Sequence, residues 1–412
     1  MNSSDRRTFL KGAAGAAAVI ALQPEGLAAA PPRLSAPLRM GLIGTGRQGR
    51  AILGELAKFE DIELIAICDS DERRLRGAVR RAPNAATFDS HERMLDEADG
   101  LDAVIVATPT HQHRQVALDA ISAGVHVYCE GPLASTIEDA KAIARAARGS
   151  QKVFQTGMQG RSNPVYGLAR SFARTGAIRD VVGMRAQHHK KISWRTPSQD
   201  PVRDKFLNWR LDPELSLGLI GEIGLHQFDV LHWFTGQYPT AVRATGAVLA
   251  WKDGRTEPDS VRCDFTFPKG VHLDWDATLG NSYGGQYEVL NGTMGSMKLA
   301  WTHGWMFKEA DATTFEWEVY ATRQQFHKDE GIILIADATK LAAQGKLKEG
   351  IGLPHPPLYY ALEDFVLSIS EGSKIACSAE EGVRATTIAV RARQAMLSGE
   401  EVAITKDDLE VG

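Results

Sequence analysis

The chain has 412 residues, long enough for two domains with separate cores. Its 43% hydrophobic and 24% charged residues describe an ordinary soluble protein, and no apolar run after residue 30 approaches membrane-spanning length. A net charge of −4 with scattered Lys and Arg excludes a basic nucleic-acid footprint.

The first thirty residues stand apart. Arg6-Arg7-Thr8-Phe9-Leu10-Lys11 precedes a mildly apolar run from Gly12 to Leu22 and then Ala28-Ala29-Ala30. That order reads as a twin-arginine signal peptide over 1–30, not as a structural helix. It predicts passage through the twin-arginine export machinery and a periplasmic or otherwise exported destination. This route carries proteins that have already folded in a reducing compartment. Cys68, Cys129, Cys263 and Cys377 are therefore expected as buried thiols, not disulfides.

The next stretch organises the rest. Leu38-Arg39-Met40-Gly41-Leu42-Ile43 is a short apolar strand that runs into Gly44-Thr45-Gly46-Arg47-Gln48-Gly49, and a helical pattern with Ile52, Leu53, Leu56 and Ala57 follows at once. Strand, G-x-G-x-x-G and helix start together form the dinucleotide fingerprint. Gly44 serves the turn, Gly46 lets backbone approach a pyrophosphate, and Gly49 lets helix and strand pack. The unpaired N–H groups of the helix start would face the phosphates. The second strand, Ile62 to Cys68, ends at Asp69, where an acid binds the adenosine ribose hydroxyls and repels a 2′-phosphate. NAD is preferred over NADP.

Buried-strand runs at Leu101–Pro109 and Val125–Cys129 alternate with helical patterns at Gln112–Ala123 and Ile137–Ala147. Repeated β-α-β units with apolar strands predict a doubly wound parallel sheet over residues 37–157. Its ligand-facing strand ends would carry Asp69, Thr108, Pro109, Glu130 and Gly131. After Gly157 the texture changes. A helix at Pro164–Arg174 leads to strands at Val181–His188, Ala241–Trp251, Ser260–Phe267, Val271–Leu279, Gln286–Leu290, Ser296–Trp301 and Thr314–Tyr320. Alternation in Val261-Arg262-Cys263-Asp264-Phe265 indicates a half-exposed antiparallel sheet. Helices at Leu358–Ser370 and Ala379–Leu397 are expected to close this second domain, residues 158–405. Residues 321–355 read only as a loop with a short helix.

Three segments carry a family resemblance: Gly41-Leu42-Ile43-Gly44-Thr45-Gly46, Ala107-Thr108-Pro109-Thr110-His111-Gln112-His113 and Gly224-Leu225-His226-Gln227-Phe228-Asp229. Together they resemble the Gfo/Idh/MocA oxidoreductases, from about Leu38 to Val402. The resemblance implies an α/β protein: a Rossmann domain, then an α/β domain with an open, mostly antiparallel sheet that commonly pairs subunits into a homo-oligomer. It also implies a sugar or sugar derivative as substrate. His226 and Glu222, which stands where the family has Asp, would serve proton transfer. His113 and Gln159 would contact the cofactor, and Arg161 the substrate. Trp209 and Arg210 precede the Glu222 helix, and an indole face beside a guanidinium suits a sugar ring.

One departure matters. Relatives usually carry Glu-Lys-Pro after the fifth strand, with the lysine beside the nicotinamide; here the residues are Glu130-Gly131-Pro132. Losing the ammonium removes a proton relay and a positive charge. Lys190 or Lys191 is a candidate to replace that charge. His226, Asp229 and His232 span too wide an arc of helix to hold a metal together, and no metal is expected.

An exported NAD protein must bring its cofactor along and restore it in every cycle. That calls for nanomolar binding or tighter, about 12 kcal/mol. The leading expectation is an oxidoreductase with an internally recycled cofactor. A redox-neutral hydrolase or lyase that oxidises, eliminates, hydrates and reduces is the alternative. A sugar-binding protein that keeps only the fold is the third.

Overall fold

A computed structural model describes residues 36–412. The expected export signal at 1–30 lies outside the described residues. Six parallel strands form the first sheet: β1 (Leu38–Ile43), β2 (Ile62–Cys68), β3 (Ala86–Phe88), β4 (Ala103–Val106), β5 (His126–Glu130) and β6 (Phe154–Gly157). Their spatial order is β3-β2-β1-β4-β5-β6, the doubly wound arrangement. The central strands are apolar throughout because helices cover both faces, and Ala103, Val104, Ile105 and Val106 are all fully buried. Side-chain caps start the covering helices: Thr136 accepts the Asp139 N–H at the head of Ile137–Gly149.

The second sheet has ten strands in the order β14 (Arg323–Phe326), β15 (Asp329–Ile333), β13 (His303–Lys308), β12 (Gly295–Ala300), β11 (Gln286–Gly292), β7 (Val181–His189), β10 (His272–Thr278), β9 (Ser260–Thr266), β8 (Ala241–Ala247) and β16 (Val402–Ala403). All its pairings are antiparallel except β7 (Val181–His189) with β10 (His272–Thr278). In β9 (Ser260–Thr266), Val261, Cys263 and Phe265 are buried while Arg262 and Asp264 face out. All four cysteines are buried free thiols.

Local chemistry moves three expected elements. The strand expected to run to Trp251 ends as β8 at Ala247. The buried Asp259 carboxylate takes the N–H groups of Leu249, Ala250 and Trp251 at 2.7–2.9 Å and turns the chain out of the ladder. The strand expected at Thr314–Tyr320 is a short 3₁₀ turn over Glu316–Tyr320, because the Glu318 carboxylate reaches back to the Phe315 N–H (3.2 Å) and to Lys308 (3.0 Å). Within 321–355 lies a hairpin, β14 (Arg323–Phe326) with β15 (Asp329–Ile333), before the short helix Ala338–Ala343.

The closing helices do not belong to the second domain alone. Leu362 and Phe365 of Pro357–Ser370 pack with Met40, Leu42 and Tyr128, and the Phe365 and Tyr128 rings meet edge-on at 5.7 Å. The long helix Ala379–Ser398 starts in the first core through Ala379 and Val383 and ends in the second through Ile388, Ala392 and Ala395. One helix thus crosses between two cores, which fixes the angle at which the site between them is built.

Candidate active site

The turn after β1 tests whether a dinucleotide fits. Gly44 has φ +96°, and a Cβ there would lie 2.6 Å from Ala107 O. A Cβ on Gly49 would lie 2.0 Å from Gly44 O, so the helix that follows, α1 (Arg47–Leu56), can approach the turn only with glycine there. Gly46 differs: a Cβ there would meet nothing nearer than Arg74 at 3.7 Å, so that face is open. The start of α1 has no side-chain cap and no acid in its first turn. Its N–H groups are free for an anion. The three glycines divide the turn, the close packing and the phosphate approach as the fingerprint requires.

Asp69 lies at the end of β2 on the wall of a cleft of about 440 Å³ that Gly44, Gly46, Arg47, Gln48, Thr108 and Pro109 also line. Its Oδ2 accepts from Thr45 N (2.8 Å) and Thr45 Oγ1 (2.9 Å), and Oδ1 accepts from Asp71 N (2.8 Å). A carboxylate offers about four acceptor positions, so one remains for a ribose hydroxyl. Asp69→Ala is expected to loosen NAD about tenfold or more and to narrow the preference over NADP; competitive titration of both cofactors measures it. Arg74 borders the same cleft and went unremarked in the sequence.

The second domain supplies the other wall. Helix α2 (Pro201–Leu207) crosses to the nucleotide side, where Arg203 pairs with Asp71 at 2.8 Å and the Arg74 guanidinium stands 5.3 Å from the Phe206 ring. Phe206, Trp209 and Arg210 line the cleft opposite the glycine turn. Neither Arg203 nor Phe206 carries a sequence signal, because the contact joins residues more than 130 apart.

At the inner end, Glu222 is buried with both oxygens held: Thr110 Oγ1 donates at 2.9 Å and Arg210 Nε at 3.1 Å. Burial raises its pKa, and Arg210 and Thr110 oppose the rise. Residues Ile220–Gly224 form a π turn that leads into the helix α3 (Leu225–Thr235), in place of the expected early α-helical start. Gly224 permits it, since a Cβ there would meet Phe228 and Trp275 at 2.7–3.0 Å. His226 follows on α3. Its Nδ1 is buried without a partner, and burial pushes its pKa down to about 4 against the pull of Asp229. A neutral imidazole with a free ring nitrogen is equipped to accept a proton.

The next residue, Gln227, anchors α3 to the sheet. Its amide donates to Gln187 O (3.1 Å), Tyr287 O (3.1 Å) and Glu288 (2.7 Å), and its oxygen accepts from the Trp275 indole (2.8 Å). Gln227→Leu would leave several buried polar groups unpaired and is expected to cost about 3 kcal/mol in urea unfolding, with His226 displaced.

Several expected site residues have other work. His113 is buried between Pro132 O (2.8 Å) and Thr108 O (2.9 Å) and braces two loops, with its pKa pushed by burial to about 4; it does not touch the cleft. Arg161 is not open to substrate: it makes two bonds to Asp229 (2.8 and 2.7 Å) and one to Glu381 (2.6 Å), its side chain only 7% exposed. Burial would lower its pKa, but those two carboxylates raise it. Asp229 and His232 both turn to this buried network, His232 lying 3.6 Å from Glu381. Trp209 is 5% exposed, on the nucleotide wall beneath Arg210 at 4.5 Å, and does not offer an open face for a sugar. Glu130 is buried, accepts from Gln48 at 2.9 Å and is pushed by burial to about 7; it acts on the cleft through Gln48. Gln159 starts the short turn Gln159–Ser162 and is absent from the cleft wall.

At the position of the missing lysine, a Cβ on Gly131 would lie 3.1 Å from Met158 Cε and 3.2 Å from Leu225 Cδ2, tight against the ends of two flexible side chains. Lys190 is exposed at the end of β7, with its N–H on Thr278 O, and the cation beside Glu222 is Arg210. An arginine supplies charge but cannot relay a proton. Among the described residues one cluster has metal-ligand potential, His91, Glu92 and Asp119, and His91 already bonds Asp119 at 2.8 Å.

A six-stranded parallel sheet with this glycine turn, closed by a ten-stranded second domain, defines a two-domain NAD-binding protein. Residues 38–158 match the oxidoreductase family with NAD-binding Rossmann fold, and residues 166–298 match the GFO/IDH/MocA C-terminal domain. These matches cover more than half of the chain, which belongs to the GFO/IDH/MocA family. It is 28% identical to levoglucosan dehydrogenase of Pseudarthrobacter phenanthrenivorans over 222 residues, 52% of this chain and 54% of that one. The chain thus spans about half the length of this relative. It is 24% identical to 2,7-anhydro-N-acetylneuraminate hydratase of Escherichia coli over 267 residues, 64% of this chain and 67% of that one. An oxidoreductase domain protein from Kribbella flavida shares the fold, with TM-score 0.73 and 23% identity over 90% of this chain and 100% of its own.

Proposed function

We propose that this protein is an NAD-dependent oxidoreductase that oxidises a hydroxyl of a sugar or sugar derivative and keeps its cofactor bound throughout the cycle. The observation that carries the reading is the joint wall: the glycine turn and Asp69 from one domain face Phe206 and Arg210 from the other across a single cleft, and Arg210 holds the buried Glu222, four residues before His226. NAD, when bound, supplies the hydride acceptor. His226 accepts the hydroxyl proton. Glu222, fixed by Thr110 and Arg210, orients the substrate hydroxyl, and Arg210 places a positive charge near the oxygen that loses its proton. The Arg203–Asp71 bridge and Phe206 hold α2 over the nucleotide and slow its escape.

The twin-arginine pattern at Arg6-Arg7 supports a periplasmic or otherwise exported site of action, for which a retained cofactor is a requirement. The uncovered face of the ten-stranded sheet supports a homo-oligomer.

Gly131 favours a second reading, a redox-neutral hydrolase or lyase in which the same hydride is returned. With glycine where relatives carry the lysine, the usual proton relay for net alcohol oxidation is missing, and similarity to a hydratase agrees. Bound-nicotinamide absorbance after adding free sugars and chromogenic glycosides separates the two. Reduction that a second carbonyl compound reverses supports net transfer; aglycone release without net redox change supports the second reading. With no response to either set the enzyme assignment is wrong.

A further inference from the structure

The outer end of the nucleotide cleft holds a hydrogen-bonded group with no signal in the sequence. The Asp69 N–H bonds Phe88 O at 3.2 Å, so the loop after β3 runs beside the carboxylate that faces the adenosine ribose. Ser90 and His91 from that loop line the same cleft, as do Gln115 and Val116 of the helix His113–Ser122. A base attached to a ribose at Asp69 therefore lies between these two segments.

Asp119 stands one turn beyond Gln115 on that helix and is absent from the cleft wall. Its carboxylate joins the two segments. Gln115 Nε2 donates to both of its oxygens at 2.9 Å, and His91 Nε2 donates to Oδ2 at 2.8 Å. A carboxylate accepts and cannot donate, so the nitrogen of the Gln115 amide must be the end that faces Asp119. The amide oxygen is left on the other side, and among the described residues nothing donates to it. Asp89 brings a second acceptor-only group to this end of the cleft. Arg74, the guanidinium on the same wall, stands beside Gly46 and Phe206 at the glycine turn.

We propose that Gln115, oriented by Asp119, selects the base of the dinucleotide: its oxygen accepts from the 6-amino group of adenine and disfavours a 6-oxo purine, which turns an acceptor toward it. Asp119 touches no part of the cofactor and is a positioning residue. Without it the amide is free to rotate and can offer either its oxygen or its N–H groups. Pro109 and Val116 give apolar contact that any purine would share, so the amide carries the difference. This rests on the reading that NAD fills the cleft, and it goes further by assigning the group that tells one base from another.

The test equilibrates the holoenzyme with an excess of an equal mixture of NAD and nicotinamide hypoxanthine dinucleotide until its content stops changing. Unbound nucleotide is removed by gel filtration, the protein is denatured, and the released dinucleotides are separated by chromatography and counted. Wild type is expected to hold about ten NAD for each hypoxanthine dinucleotide, the worth of one directed hydrogen bond. Asp119→Ala is expected to bring that ratio to about two or less with its melting temperature retained, because the freed amide serves both bases. Gln115→Lys, at an exposed position and with donors only, is expected to invert the preference. A packing role for Asp119 would weaken the hold on both dinucleotides alike and leave the ratio at its wild-type value. Equal amounts in wild type, or a wild-type ratio in either variant, overturns the proposal. A wild type that holds neither dinucleotide overturns the NAD reading instead.

Discussion

His226→Asn is expected to lower turnover by about 10²–10⁴-fold while the protein keeps its NAD. The ring lies at the start of α3 with a buried, unpartnered Nδ1, and His226 is not among the residues that line the nucleotide cleft. Asparagine nearly preserves the volume and removes the basic nitrogen. Turnover under sugar saturation and cofactor content by mass measure the two effects separately. Loss of NAD in this variant would assign His226 to cofactor binding. The pH dependence gives a second check. A base must be unprotonated, so activity falls as pH drops through its pKa, and burial has moved that point from the ordinary imidazole range to about 4. The acid limb of kcat/KM should lie near pH 4; a limb near 6.5 would point to an exposed histidine in this role.

The second large effect concerns retention. Arg203→Ala combined with Phe206→Ala removes the bridge to Asp71 and the ring beneath Arg74, and it opens the wall that faces the glycine turn. Losing one half-buried aromatic contact and one half-buried ion pair is worth about 2 kcal/mol, a factor of about 30 in dissociation. NAD should then leave on dilution and gel filtration, and activity should return when NAD is added. A double variant that holds its cofactor as firmly as wild type would remove α2 from the account of retention.

The first domain was legible because its signals are local. The glycine spacing, the apolar strand runs and Asp69 at a strand end each lie within a few residues, and backbone sterics at Gly44 and Gly49 leave little choice of conformation. The second sheet was legible wherever side chains alternate, as in β9, and failed where a distant carboxylate redirected the chain, as Asp259 does at Leu249–Trp251. Site residues followed the same division. Glu222 sits in a π turn, whose period the sequence does not show, just before the helix that carries His226. Arg161 looked available because its partners Asp229 and Glu381 lie 68 and 220 residues away along the chain. Lys190 looked useful because it is charged, yet the folded strand end leaves it in solvent while Arg210 reaches Glu222 from a segment twelve residues upstream.

Native mass spectrometry of the protein, purified without added nucleotide, tests the central claim most directly. The account predicts a protein peak heavier by the mass of one NAD per chain, which is lost on denaturation. A peak at the bare protein mass that stays there after incubation with NAD would contradict it.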